Sequence, residues 1–280
     1  MRGITSITIP CADGVRLAAT TFEASEPVGV VALLAPAMLV RQRFYGRVAA
    51  QLAGLGVDAI TWAHRGVGDS LALDPQPSDL ALEHWAQRDL PAVIAHARAW
   101  RPGHRIVVLG HSMGGQLIEL CPALGDVDAV VTVAATEAWW RHWPAPTRWG
   151  IFAWYSAALP ALGRALDPFP AGRFGLGPDT RACLVRDWAR WGRRRGYFRN
   201  PRFGLPSYAS GFDGPVLAWS FADDVHLGCL RAVRALHQPY RRLTHIHHDP
   251  RPGRVGHFGF YRAVGEALVE RTVEWIHAQE

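Results

Sequence analysis

A repeated change of hydrophobic period restricts the fold of this chain more than any other feature. Val28 to Ala35 is a continuous apolar run, the pattern of a strand buried on both faces. The next apolar residues recur at helical spacing: from Phe44 to Leu55, Tyr45, Val48, Ala49 and Leu52 share one face, and Gly56 marks the stop. The alternation continues with a strand at Val57 to Trp62, a helix at Leu80 to Trp100 and a strand at Arg105 to Leu109. A helix at Met113 to Leu124 and a strand at Ala129 to Ala134 follow. Later come a strand at Pro215 to Phe221, a helix at Leu227 to Leu236, a strand at Tyr240 to His247 and a closing helix at Phe258 to His277. Strands alternating with helices predict an α/β fold, a mostly parallel sheet covered on both faces. Ile4, Ile7 and Ile9, the turn Ala12-Asp13-Gly14 and the run Val15 to Phe22 predict an antiparallel hairpin at one sheet edge.

The chain has 280 residues, 49% hydrophobic and 19% charged, enough to bury a large core and inconsistent with disorder, collagen or coiled coil. Its four cysteines (Cys11, Cys121, Cys183, Cys229) form no C-x-x-C pair, so neither a disulfide scaffold nor a structural zinc site is expected. The N-terminus alternates polar and apolar residues and lacks the apolar stretch of a signal peptide. The longest apolar runs, Val30 to Val40 and Ile151 to Leu162, fall short of the roughly 20 residues that span a bilayer. A soluble, cytoplasmic protein is the expectation.

Between Glu137 and Phe212 the alternation stops. This stretch holds seven of the 12 Trp and 12 Arg against four acidic residues. All 30 basic residues of the chain are Arg, and the net charge of +6 arises from this stretch. Long irregular insertions are usually functional or disordered, and seven Trp argue against disorder. The expectation is an inserted lid over 137–212, with 1–136 and 213–280 forming the core. From Arg181 to Arg202 eight Arg are interleaved with Trp188, Trp191, Tyr197 and Phe198. No nucleic-acid-binding module accompanies them, so nucleic acid is not an expected partner. A solvated helix face is the plain reading. An anion-steering rim, or weak contact with anionic membrane lipids, is the sharper one.

The chemistry lies in Gly110-His111-Ser112-Met113-Gly114, a G-x-S-x-G pattern entered from a strand and left through a helix. That setting makes a sharp turn with the serine hydroxyl exposed. Arg65-Gly66-Val67-Gly68-Asp69-Ser70 is glycine-rich, but no phosphate-binding Lys exists, and a structural turn is expected. With GHSMGG at Gly110 to Gly115, HRGVGDS at His64 to Ser70, the late Asp223-Asp224 and the final Gly256-His257, the chain resembles the α/β-hydrolase superfamily. Within it, the chain is similar to the lid-bearing, serine-aminopeptidase-like (S33) group that includes monoacylglycerol lipases and predicted bacterial α/β hydrolases.

The resemblance implies an eight-stranded sheet and a Ser-Asp-His triad in that chain order. It assigns the nucleophile to Ser112 and the base to His257, in the loop after the last strand. The acid should follow the strand after the insert, where Asp223 and Asp224 both stand. Aligning that strand without gaps favours Asp224, although Phe221 occupies a position where the family has Gly. One oxyanion N–H should be that of Met113, next to the nucleophile. The other falls on Met38, in a loop that reads Ala35-Pro36-Ala37-Met38-Leu39 where the family shows His-Gly-x-Gly. The neighbouring His245, His247 and His248 suggest a solvated strand end before they suggest a metal. The expected activity is a serine hydrolase acting on a small-molecule carboxylic ester, thioester or amide with a hydrophobic acyl part and requiring no metal or organic cofactor. Acyltransferase or peptidase chemistry on the same triad, or a catalytically silent scaffold, are the alternatives.

Overall fold

The computed structural model describes residues 3–74, 79–174 and 177–279. Residues 175 and 176 of the expected insert, and 1, 2, 75–78 and 280 of the expected core, lie outside this part. Eight strands form one sheet: β1 (Gly3–Pro10), β2 (Arg16–Glu23), β3 (Val30–Ala35), β4 (Asp58–Trp62), β5 (Arg105–His111), β6 (Ala129–Val133), β7 (Val216–Phe221) and β8 (Leu243–His248). Their order is β1-β2-β4-β3-β5-β6-β7-β8. β2 pairs antiparallel with β1 and β4, and every other pairing is parallel. The N-terminal hairpin is therefore an edge, as the turn at Asp13-Gly14 predicts.

All residues of β3, β4, β6 and β7 are buried. Alternation decides which face each serves. Val30, Ala32 and Leu34 pack with Val48, Ala49 and Leu52 of α1 (Gly46–Gly54) and with Leu268, Val269 and Val273 of α9 (Glu266–His277). Val31, Leu33 and Ala35 pack on the other face against Leu90, Val93, Ile94 and Ala97 of α3 (Leu90–Trp100).

The helices expected from periodicity are all shorter in the fold, three of them markedly. The helix expected from Leu80 becomes regular at Leu90, after a π turn at Trp85–Asp89. Pro91 has no N–H to donate and its ring crowds the preceding turn, which the wider π turn accommodates. The helix after Ser112, α4 (Met113–Leu117), gives way to a 3-10 turn, and Pro122 prevents its continuation to Leu124. The closing helix begins at Glu266, because two 3-10 turns at Gly259–Tyr261 and Ala263–Gly265 are separated by extended Arg262. A short helix α2 (Gly68–Leu73) follows the glycine-rich turn. There Arg65 is buried and its guanidinium is held by Asp89 and Asp13.

Within 137–212 the chain forms α5 (Thr147–Ala153), α6 (Leu159–Ala165) and α7 (Ala182–Gly192). Trp140, Trp143, Leu159, Leu184, Val185, Trp191, Tyr197 and Phe198 pack over Met38, Met113, Leu117 and Leu120 of the core. Arg199 anchors this segment: it pairs with the fully buried Glu119 through Nε at 2.6 Å and reaches Glu137 at 3.4 Å. The remaining helix is α8 (Leu230–His237).

Candidate active site

β5 ends at His111, and the chain reverses through Ser112 at φ 48°, ψ −114°. A non-glycine residue held there costs about 1–3 kcal/mol and persists only where its surroundings enforce it. Close packing does so. A Cβ on Gly110 would lie 2.5 Å from Gly115 Cα, and one on Gly114 2.2 Å from Ala35 O. Strand, turn and helix thus meet backbone to backbone, which leaves the Ser112 side chain at the border of a pocket.

His257 and Asp224 meet at that border. His257 Nδ1 lies 2.6 Å from Asp224 Oδ2, with both residues buried. A carboxylate only accepts, so the contact calls for a proton on Nδ1, and in the neutral ring the lone pair is then on Nε2. Leu227 N–H donates to Asp224 Oδ1 at 3.3 Å. A Cβ on Gly228 would sit 2.0 Å from Oδ2, so the carboxylate is closely packed. Asp223 faces elsewhere: its carboxylate accepts the N–H groups of Val255 and Gly256 at 2.9–3.0 Å and shapes the loop that presents His257. Ser112 and His257 border the same pocket, and among the described residues no hydrogen bond joins their side chains. Such contacts often tighten only when substrate is bound.

Met38 and Met113 also line the pocket, and the N–H of neither has an acceptor among the described residues. Beneath the loop that carries Met38, Ala37 N–H donates to the Tyr45 hydroxyl at 2.7 Å. Tyr45 lies 3.0 Å from His111 Nδ1, and His111 Nε2 donates to His257 C=O at 2.9 Å. Burial, and then the neighbouring His257, push the His111 pKa well below its ordinary value, so the ring is neutral, with its proton on Nε2. This chain of bonds joins three segments of the site behind the elbow, away from the pocket. His111 and Tyr45 were not readable as such from the motif.

The pocket has a volume of about 130 Å³, and the segment 137–212 supplies Trp143, Ile151, Trp154, Tyr155 and Trp188 to its wall. It adjoins a wider trough of about 750 Å³ that shares Met38, Trp154, Trp188, Leu227 and Phe258. Arg41, Arg43 and Arg262 border the trough. None of the eight Arg between Arg181 and Arg202 borders pocket or trough. Arg181 pairs with Asp167, Arg199 with Glu119, and Arg193 to Arg195 face solvent. A basic rim exists, but core loops provide it. The 137–212 segment contributes aromatic wall.

His245 Nε2 and His247 Nδ1 each lie 2.8 Å from the Ser220 hydroxyl. Among the described residues, no cluster of three or more His, Cys, Asp or Glu is placed to hold a metal. No described helix is long and apolar enough to cross a membrane.

Residues 26–167 match the family described as serine aminopeptidase, S33. No curated protein matches the sequence. Among solved structures, a thermostable carboxyl esterase from Bacillus coagulans is similar at 11% identity and TM-score 0.69, over 100% of this chain and 99% of that one. An esterase from Exiguobacterium antarcticum is similar at 13% identity and TM-score 0.63, over 98% and 100%. A serine hydrolase without lid from Xanthomonas campestris aligns at 14% identity and TM-score 0.58, over 98% and 95%. At these identities the neighbours speak for the fold alone, while the family match spans half of the sequence and takes in the Ser112 turn. The chain is a member of the S33 serine aminopeptidase-like family of α/β hydrolases.

Proposed function

We propose that this hydrolase cleaves small-molecule carboxylic esters through an acyl-enzyme on Ser112. The reading rests above all on the buried 2.6 Å contact between His257 and Asp224, beside the pocket that Ser112 also borders. Ser112 Oγ attacks the ester carbonyl while His257 Nε2 takes its proton. Asp224 holds the tautomer that leaves Nε2 free and stabilises the imidazolium. The N–H groups of Met113 and Met38 receive the oxyanion, and two donors without acceptors in a buried site are suited to that charge. Collapse breaks the C–O bond, and His257 returns the proton to the departing alcohol. Water, deprotonated by the same imidazole, then releases the acid and regenerates Ser112.

In this reading 137–212 acts as a lid whose Trp side chains exclude water from the reacting carbonyl. An engineered dry cavity of about 150 Å³ holds a benzene ring, so the 130 Å³ pocket takes a compact group of about that size. A longer chain lies outward in the trough. This narrows the sequence-based expectation of a hydrophobic acyl part to one whose bulk sits outside the inner pocket. A stopped-flow trace with a p-nitrophenyl ester tests the chemistry. A burst of one equivalent of p-nitrophenol followed by slower turnover is expected, and no release above the solvent rate from Ser112→Ala. Equal rates for the two proteins contradict the proposal.

A further inference from the structure

Several polar side chains in the inner pocket have hydrogen-bonding capacity that the described residues do not use: the indole N–H groups of Trp143 and Trp188, which are buried without a partner, and the side chains of Gln116 and Thr136. Gln116 is 4% exposed and lines the pocket one turn along the helix from Ser112, its N–H donating to Ser112 C=O at 2.9 Å. Its side-chain Oε1 accepts from the Tyr197 hydroxyl at 2.9 Å. Tyr197 is fully buried and stays protonated, since burial pushes its phenol well above the ordinary value. The hydroxyl therefore has a proton to give to Oε1, and in this arrangement the amide nitrogen lies on the other side. That nitrogen has no partner among the described residues and is not sealed off within the core, so it opens to the pocket that Gln116 lines. Thr136, 2% exposed, lines the same pocket, and its hydroxyl likewise has no partner and is not sealed off.

Among the described residues no Arg, Asp or Glu lines this pocket, and apart from Ser112, His226 and His257 the rest of its wall is mainly aromatic and aliphatic. An anionic side group entering it would meet no guanidinium, and a bare hydrocarbon would leave the amide and hydroxyl unpaired, which is costly in a buried site. We infer that the substrate group filling the inner pocket is compact, uncharged and carries a hydrogen-bond acceptor, a carbonyl or ether oxygen, received by the Gln116 amide and the Thr136 hydroxyl. The inference deepens the ester-hydrolase reading by naming the kind of group that occupies this part of the site.

The test reads binding rather than turnover. Cyclohexanone and methylenecyclohexane have nearly the same shape and differ in C=O against C=CH₂. Both are titrated into the Ser112→Ala protein by ligand-observed NMR. The ketone is expected to bind at least as tightly as the more apolar alkene. Gln116→Leu in the same background should shift the ketone-to-alkene ratio about fivefold toward the alkene, the usual net worth of one hydrogen bond. Thr136→Val should shift it the same way and serves alone if Gln116→Leu does not fold. Tighter binding of the alkene to the Ser112→Ala protein, a ratio unchanged by the folded variants, or no binding of either ligand overturns the inference. Because nothing is hydrolysed, a failed burst from Ser112 and a failed ketone preference are separate results.

Discussion

Replacing Asp224 by Asn changes one atom and should disable the site. Asp224 Oδ1 accepts from Leu227 N–H while Oδ2 faces His257 Nδ1 at 2.6 Å. An asparagine keeps its carbonyl on the Leu227 N–H and turns its NH₂ toward the imidazole. His257 must then accept at Nδ1 and carry its proton on Nε2, where it cannot take one from Ser112. In the worked serine-protease case this inversion lowers kcat on the order of 10⁴-fold, about 5 kcal/mol of transition-state stabilisation. Asp223→Asn is the internal control. Its oxygens hold the N–H groups of Val255 and Gly256, and an asparagine still offers one acceptor. The loop loosens by about one charge-assisted hydrogen bond, 1.5–3 kcal/mol, without inverting the tautomer. Steady-state kcat for both variants on one p-nitrophenyl ester decides the matter, with circular dichroism as the check on folding. A crippled Asp223→Asn beside a near-normal Asp224→Asn refutes the assignment.

Gly114→Ala should destabilise the protein by more than about 3 kcal/mol or abolish folding, because its Cβ would meet Ala35 O at 2.2 Å with backbone on both sides. An unchanged thermal midpoint contradicts that. Arg199→Met strands the buried Glu119 carboxylate and should lower stability by about 3–5 kcal/mol in a denaturant titration; Glu119→Gln with Arg199→Met should recover part of it. His237 is fully buried between Thr132 and Val233 C=O, and burial lowers its pKa from 6.5 to about 4. Below pH 6.5 the unfolded chain binds a proton that the folded one refuses, so stability falls as pH drops from 6.5 toward 4. His237→Gln should flatten that slope between pH 6.5 and 4, and an identical slope rules His237 out as its source.

Much of this architecture is written in periodicity. Val30 to Ala35 is apolar without interruption, and Ala129 to Ala134 is broken only by Thr132, because sheet neighbours and helices cover both strands. Ser112 is legible because only glycines fit where β5 and α4 touch. The choice between Asp223 and Asp224 turns on one residue of register, and in the fold Asp224 is the one that meets the imidazole. Other features depend on tertiary partners that no local pattern reveals. Arg65 reads as a surface cation, yet Asp13 and Asp89, far apart in sequence, bury it. The π turns at Trp85–Asp89 and Trp154–Ala158 each precede a helix with Pro91 or Pro160 in its first turn. A proline within a helical period is the signal for such a turn. Gln116 looks like any polar helix residue until Tyr197, 81 positions away, orients its amide. The Arg181 to Arg202 cluster agrees with its plain reading as a solvated face, since its charges pair or face solvent, while Arg41, Arg43 and Arg262 edge the trough.

The claim on which all of this depends is that Ser112 is a nucleophile activated by His257. The direct measurement is intact-protein mass after exposure to a fluorophosphonate, followed by peptide mapping. The account predicts one phosphonyl adduct per chain, on Ser112, formed with loss of fluoride. It also predicts no adduct on Ser112→Ala and labelling slowed at least 100-fold in His257→Ala, at the low end of what a positioned general base contributes. An unlabelled parent protein, or equal labelling of parent and Ser112→Ala, contradicts it.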